Sequence, residues 1–115
     1  MTDKTGYSKG LWAEMRAAVF LRRQGYKILQ RRFRTRHGEI DIICQKGKML
    51  VFVEVKLRAT TDDAAAAIDG KNQQRVRQAA ELYLQKYPDY TGFDLRFDAL
   101  LMGRHQGISQ IENAF

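Results

Sequence analysis

The sequence of 115 residues predicts a single α/β (α+β) domain, residues 1–115, built as a mixed central β-sheet flanked by helices. Three observations carry this expectation. Two β-branched runs, Gly38–Gln45 and Met49–Leu57, stand either side of Lys46-Gly47-Lys48, a Gly-containing loop of the kind that joins hairpin strands. The second run starts apolar on both faces, as a central strand does. Two further stretches repeat apolar residues at helical spacing. The order reads helix, short strand, two long strands, helix, two strands.

Composition narrows the class. Hydrophobic residues at 44% and charged residues at 29% are ordinary for a globular protein. No apolar run approaches the ~18 residues of a membrane span, and no signal-peptide pattern opens the chain. The single cysteine excludes an internal disulfide and fits a reducing compartment, so the expected location is cytoplasmic and away from membranes. Cys44 reads as a small core residue, and with only two histidines a zinc site is not expected. Twenty Lys and Arg against thirteen Asp and Glu give a net charge of +7. That balance favours a polyanionic partner, nucleic acid first of all, although general solubility would account for it equally well.

Taken in order, Met1–Lys9 is polar and expected to fray, with Ser8 as an N-cap. Gly10–Gln24 reads as a helix ended by Gly25 at C′. Arg16 and Arg23 mark its solvent face, and Glu14 falls opposite them among Leu11, Ala18 and Leu21. A carboxylate there is either an ion pair at the edge of the apolar stripe or an acid belonging to a site. Tyr26–Phe33 reads as a short edge strand with Tyr26, Ile28 and Phe33 inward. Arg31, Arg32, Arg34, Arg36 and His37 then form either a solvated basic loop or an edge that contacts phosphates.

Alternation in the next strand puts Glu39, Asp41 and Ile43 on one face and Ile40, Ile42 and Cys44 on the other. In its neighbour, Val51, Val53, Val55 and Leu57 share one face, and Leu50, Phe52, Glu54 and Lys56 the other. Arg58–Gly70 is a polar, alanine-rich connection whose Thr60-Thr61-Asp62-Asp63 could cap a short turn. Lys71–Tyr87 reads as a helix ended by Pro88, with Val76, Ala79, Ala80, Tyr83, Leu84 and Tyr87 on its core face. Lys71, Arg75 and Arg77 crowd its first turns, where the helix dipole favours acids. That suits a helix end receiving phosphate, or else a plain solvated face. Phe93–Met102 alternates again and pairs with a last strand, Ile108–Phe115, across Gly103–Gly107. Arg96 and Asp98 on one face read as a structural pair, the alternative being a support behind the site.

The chemistry concentrates at Asp41 and Glu54-Val55-Lys56. Charge on an apolar strand is costly unless it is paired or bound to a metal. Two adjacent carboxylates repel one another, and a hard divalent cation removes that repulsion. Asp41, Glu54 and the Val55 carbonyl are therefore the expected oxygen donors for Mg²⁺ or Mn²⁺, with Glu39 in support. Such a cation polarises a phosphodiester and acidifies a water, and Lys56 would orient that water or neutralise developing charge. The plainer alternative is a buried Lys–Glu pair that cross-links the sheet.

Asp41…Glu54-Val55-Lys56 resembles the core motif of the restriction-endonuclease-like, PD-(D/E)xK, nuclease superfamily. The wider pattern is similar to the small bacterial YraN-like family, related to archaeal Holliday-junction resolvases. It covers Ala13-Glu14, Gly25-Tyr26, Ile28-Leu29, Gly38-Glu39-Ile40-Asp41, Val51-Phe52-Val53-Glu54-Val55-Lys56, the Lys71–Arg75 helix start and Arg96-Phe97-Asp98. Ile40 precedes the acid where the superfamily motif has proline, and the alanine run after Leu57 is a second departure. The resemblance implies a restriction-endonuclease-like core with Asp41 and Glu54 as metal ligands and Lys56 as the catalytic lysine. It further implies that Glu14 is the helix-borne acid of the resolvase branch. The expected function is a Mg²⁺- or Mn²⁺-dependent endonuclease on DNA, with branched or structured DNA among the substrates. Arg32, Arg34, Arg36, Lys71 and Arg75 are the expected nucleic-acid contacts, and a homodimer is one expected assembly. The alternative is a nucleic-acid-binding module that keeps the fold without efficient cleavage. A protein-interaction domain would require the acids to have gathered by accident.

Overall fold

A computed structural model describes residues 2–60, 62, 64, 70–104 and 107–115, with the side chains of 2–9 and 70–72 outside that description. Helix α1 is Thr2–Arg23, followed by β1 (Lys27–Arg34), β2 (Glu39–Lys46), β3 (Met49–Arg58) and α2 (Gly70–Lys86). A short 3₁₀ turn, Pro88–Tyr90, leads to β4 (Asp94–Gly103) and β5 (Ile108–Ile111). The strands form one mixed five-stranded sheet in the order β1-β2-β3-β4-β5. Only β3 and β4 run parallel, and the chain between them carries α2 across the sheet. The expected mixed sheet flanked by helices is the observed architecture. No helix among the described residues is long and apolar enough to cross a membrane.

Each helix covers one face of the sheet. Ala13, Ala17, Ala18 and Leu21 of α1 pack on Ile42, Cys44, Val51, Val53, Leu100 and Met102. Val76, Ala79, Ala80 and Tyr83 of α2 pack on Phe33, Ile40, Ile43, Leu50 and Phe52. Both helices present small residues to the sheet, and on the α2 side Tyr83 joins the rings of Phe33 and Phe52. Tyr83 meets Phe33 and Phe52 edge-on, at centroid distances of 5.2 and 6.1 Å.

Both ends of α1 are informative. At its C-terminus Gly25 takes φ +94°, with Tyr26 N donating to Leu21 O and Gly25 N to Arg22 O, each at 3.0 Å. That is the Schellman geometry which glycine at this position favours. The N-terminus differs from expectation, because the helix begins at Thr2 and Ser8 lies inside it rather than capping it. Polarity does not end a helix, and the glycines at positions 6 and 10 cost only about 1 kcal/mol each in its interior. The last strand is also shorter than expected. It stops at Ile111, Asn113 adopts φ +52°, and Ala114 N donates to Phe97 O, so the terminal residues fold back onto β4.

The alternation in β2 breaks at Asp41, which corrects the face assignment from sequence. Ile42 and Cys44 face α1, but Ile40 faces α2, where simple alternation would not put it. β1 reverses at the matching place. Arg31 pairs with Ile42 and Phe33 with Ile40, and Arg32 between them has φ +55°. The β1–β2 ribbon therefore turns over at Arg32 and Asp41 while keeping its register. Beyond the reversal, Thr35 Oγ1 accepts hydrogen bonds from His37 N (3.1 Å) and Gly38 N (3.0 Å) and closes the hairpin tip.

Arg96 and Asp98 are structural, as expected from sequence. Asp98 is fully buried and takes both Nε and Nη2 of Arg96 at 2.9 Å, Gln110 Nε2 at 2.9 Å and Asn113 N at 3.2 Å. Arg96 also donates to the Tyr26 hydroxyl. This network ties β5 and the chain end to β4, and burial beside it pushes the Cys44 thiol up to about 12.

The hairpin tip rests on α2 without space to spare. A Cβ at Gly38 would lie 2.8 Å from Arg75 O and 2.9 Å from Arg75 Cβ, whereas one at Gly92 would meet nothing within 4 Å. Gly38→Ala is expected to cost about 1–3 kcal/mol, read as a lower urea midpoint at unchanged slope. Gly92→Ala should leave the midpoint in place. Equal midpoints for the two variants would show that the tip does not bear on α2.

Candidate functional site

The β2–β3 ladder runs from Lys46 opposite Met49 to Ile42 opposite Val53 and ends there. The next main-chain donor on β3 that needs a partner is Val55 N–H. It donates instead to a side chain, Asp41 Oδ2, at 2.8 Å. The strands part at this point, and Asp41 sits in the fork.

Glu54 and Lys56 extend from β3 on the α2 side, in alternation with Leu50 and Phe52. Lys56 Nζ is 3.1 Å from Glu54 Oε1, in an ion pair whose carboxylate is buried and whose ammonium is partly exposed. The Lys–Glu pair weighed from sequence is thus present, inside the same cleft as Asp41. Glu39 is exposed and pairs with Arg34 Nε at 3.4 Å.

The Asp41 carboxyl is pushed up from its ordinary range to about 7, first by burial and then by the charges of Glu54, Glu14 and Glu39, against the opposing Val55 N–H bond. Burial and three neighbouring acids thus oppose ionisation of this carboxylate. Among the described residues, no group of three or more His, Cys, Asp or Glu side chains gathers closely enough to enclose a metal ion. A cation at this site would rest on Asp41, Glu54 and the Val55 carbonyl, with water and substrate completing its shell.

Glu14 is buried on the α1 side and held by two guanidinium groups, Arg32 Nε at 2.6 Å and Arg31 Nη2 at 3.8 Å. The ion-pair reading of Glu14 matches this geometry. Its carboxylate nonetheless lines a hollow of about 340 Å³ together with Asp41, Glu39 and Val55. A second hollow, of about 750 Å³, opens on the other side of Asp41 and holds Glu54 and Lys56. Asp41, Glu39 and Val55 line both.

The basic residues singled out from sequence divide between these hollows. Arg34, Arg36 and Arg75 line the larger one, while Arg32 lines the smaller and is engaged by Glu14. The side chain of Lys71 lies outside the described residues. Two arginines in the smaller hollow, Arg58 and Arg104, were not singled out. Arg58 follows Glu54 by four positions on the same strand, so the sequence carried a signal for it. Arg104 carried none, because only the parallel register that sets Arg58 opposite Gly103 brings it there.

The sequence profile of the uncharacterised protein family UPF0102 matches residues 13–102. A UPF0102 protein of Rhodopseudomonas palustris (strain BisB5) is 52% identical over 96 residues, covering 84% of this chain and 73% of its own length. One from Bradyrhizobium sp. (strain BTAi1) is also 52% identical over 96 residues, covering 84% of this chain and 71% of its own. A third, from Nitrobacter winogradskyi (strain Nb-255), is 50% identical over 96 residues and covered over 81% of its length. The matched span takes in Glu14, Asp41, Glu54, Lys56 and both strands of the fork. The chain belongs to the uncharacterised protein family UPF0102.

Proposed function

We propose that the protein is a Mg²⁺- or Mn²⁺-dependent endonuclease of the PD-(D/E)xK kind, acting on cytoplasmic DNA, with branched or structured DNA among its candidate substrates. The observation that carries this reading is the fork at Asp41. It opens the sheet so that Asp41, Glu54, Val55 and Lys56 line one cleft, bordered by Arg34, Arg36 and Arg75. A purely structural carboxylate would not be expected between two open hollows.

The donor set fits a hard divalent cation. Val55 N–H orients the Asp41 carboxylate through Oδ2, and that carboxylate would hold the cation. Glu54 adds a second carboxylate, and crowding of acids around Asp41 is the condition that a cation relieves. What Mg²⁺ or Mn²⁺ supplies when bound is neutralisation of the carboxylates and Lewis-acid polarisation of a phosphodiester. Lys56, held by Glu54, directs N–H donors towards the phosphate oxygens, where negative charge grows during displacement. The same ammonium can orient an attacking water through its remaining hydrogens. Arg36 and Arg75 fix the backbone of the substrate in the cleft.

A second reading, a DNA-binding module without efficient cleavage, draws support from the cations already placed on Glu14 and Glu54. Purified protein with Mg²⁺ or Mn²⁺, offered linear, flapped and four-way DNA, separates the two. Cleavage is expected, Lys56→Ala should slow it by about 10²–10⁴, and Asp41→Ala or Glu54→Ala should abolish it. Binding to all three substrates with no cleavage of any, under either metal, would leave the binding module.

A further test needs no DNA. The folded state favours protonated Asp41, so stability owed to this group falls as pH rises from about 4 towards 7. In EDTA at pH 8, Asp41→Asn should melt at least as high as wild type, because Asn keeps an acceptor for Val55 N–H and removes a repelling charge. The gap should close near pH 4. Saturating Mg²⁺ should raise the wild-type melting temperature, by about 2.7 kcal/mol of stabilisation at a hundredfold excess over Kd, and raise that of the Asn variant much less. An Asn variant destabilised by about 3–5 kcal/mol, with wild type indifferent to Mg²⁺, would mark Asp41 as a structural acid.

A further inference from the structure

Arginines around the fork fall into two sets once their partners are counted. Arg31 and Arg32 answer Glu14, and Arg34 answers Glu39. Among the described residues, Arg36, Arg58, Arg75 and Arg104 have no carboxylate within ion-pair distance. These four are not scattered. Arg36 and Arg75 line the larger hollow, and Arg58 and Arg104 the smaller.

Arg58 and Arg104 are held side by side by the fold. Arg104 N donates to Arg58 O at 3.1 Å across the ends of the parallel strands β3 and β4. Arg58 Nη1 donates to Leu57 O at 2.7 Å, which holds the guanidinium near its own strand end, and Arg58 lines the hollow. The described acids that line this hollow do not pair with them, since Glu14 faces two other guanidinium groups, Glu39 faces Arg34 and Asp41 accepts from Val55 N–H. A concave site with two guanidinium groups that pair with no acid among the described residues suits phosphate oxygens, which their planar donor forks match.

Resting on the reading of Asp41 as the reaction centre, we propose that Arg58 and Arg104 form a second phosphate-binding position on the α1 side of the fork. One DNA strand then crosses the end of the sheet at the fork between β2 and β3. Arg36 and Arg75 hold it on the α2 side, Asp41 lies beneath it, and Arg58 and Arg104 hold it beyond. The hollows meet at Asp41, so the two phosphate positions flank the reacting one rather than competing for it.

The double variant Arg58→Gln/Arg104→Gln keeps the aliphatic stems and removes both charges. Arg22→Gln/Arg23→Gln, on exposed residues of the last turn of α1, removes the same charge elsewhere. DNA binding is measured by fluorescence anisotropy in EDTA across a salt titration, using four-way and linear probes. The Arg58/Arg104 variant should flatten the log–log salt slope by about one to two units, while the Arg22/Arg23 variant stays near wild type. Equal slopes for wild type and the Arg58/Arg104 variant, or an equal loss in both variants, would overturn the proposal. Melting shifts with inorganic tripolyphosphate test the position without DNA. A shift reduced in the Arg58/Arg104 variant alone supports the phosphate position even if wild type binds no DNA, a result that would sink the nuclease reading by itself. A tripolyphosphate shift unchanged by that variant would overturn the phosphate position while leaving the nuclease reading standing.

Discussion

One hydrogen bond, from Val55 N–H to Asp41 Oδ2, sets the geometry on which the site depends. Continuing the β2–β3 register by one pair beyond Ile42 and Val53 would place Asp41 opposite Glu54. Like charges directly opposite on antiparallel strands destabilise the pair, and here both would lie against buried apolar neighbours. Parting the strands avoids that juxtaposition but strands a β3 donor, and buried N–H groups left without partners are rare in folded proteins. The carboxylate of Asp41 takes the place of the missing main-chain acceptor. The acid therefore opens the sheet and also closes the hydrogen-bond account of the opening.

The reversal at Asp41 has its counterpart in β1. A non-glycine residue at φ +55° is unfavourable by about 1–2 kcal/mol, and Arg32 adopts it between residues paired in normal register. The compensation is visible in its side chain, which meets buried Glu14 at 2.6 Å in a charge-assisted bond. Without the reversal Arg32 would stay on the strand's other face, and Glu14 would be left to Arg31 at 3.8 Å. The contact also fastens α1 to the edge strand, beside the apolar seam of Ala13, Ala17 and Leu21. The strained backbone, the buried acid and the fork are thus one arrangement seen from both strands.

Much of this was legible in the sequence, for reasons that can be named. Alternation along Met49–Leu57 placed Glu54 and Lys56 on one face with Leu50 and Phe52, the face that α2 covers, because a central strand in a continuous ladder keeps period two. Gly25 announced the end of α1, because a Schellman turn calls for φ > 0. The same alternation failed at Ile40. That residue lies past the point where the ladder to β3 ends and is paired only with Phe33 of β1, which turns over with it, so the central strand no longer enforces the period there. The local rule broke at the residue expected to be functional, which is where such rules tend to break. Glu14 could be seen as anomalous but not assigned, since its partners come from a strand reversal with no composition of its own. Arg104 depended on a parallel register between strands about 45 residues apart in the chain, which no local pattern reports. Most of the alanine-rich connection lies outside the described residues, although Ala64 is buried against Ala99 and Leu101.

The formal charge of +7 can now be read by position rather than as a total. Arg31, Arg32, Arg34 and Arg96 are committed to acids, and they build the fold around the fork. Arg77 lies over the Phe97 ring at 4.7 Å, and Lys46 reaches back to Gln24 O at 2.9 Å, so these cations also serve the structure. Removing such groups leaves a partner charge or a ring exposed, and the loss is one of stability. Arg36, Arg58, Arg75 and Arg104 pair with no carboxylate among the described residues, yet they converge on the two hollows that meet at Asp41. Uncompensated like charges gathered in concave places repel one another, and folding alone gives no reason to keep them there. A polyanion laid across the fork turns that repulsion into attraction. On the proposed reading, selectivity would lie in which arginines the described acids leave uncommitted, more than in how many the chain contains.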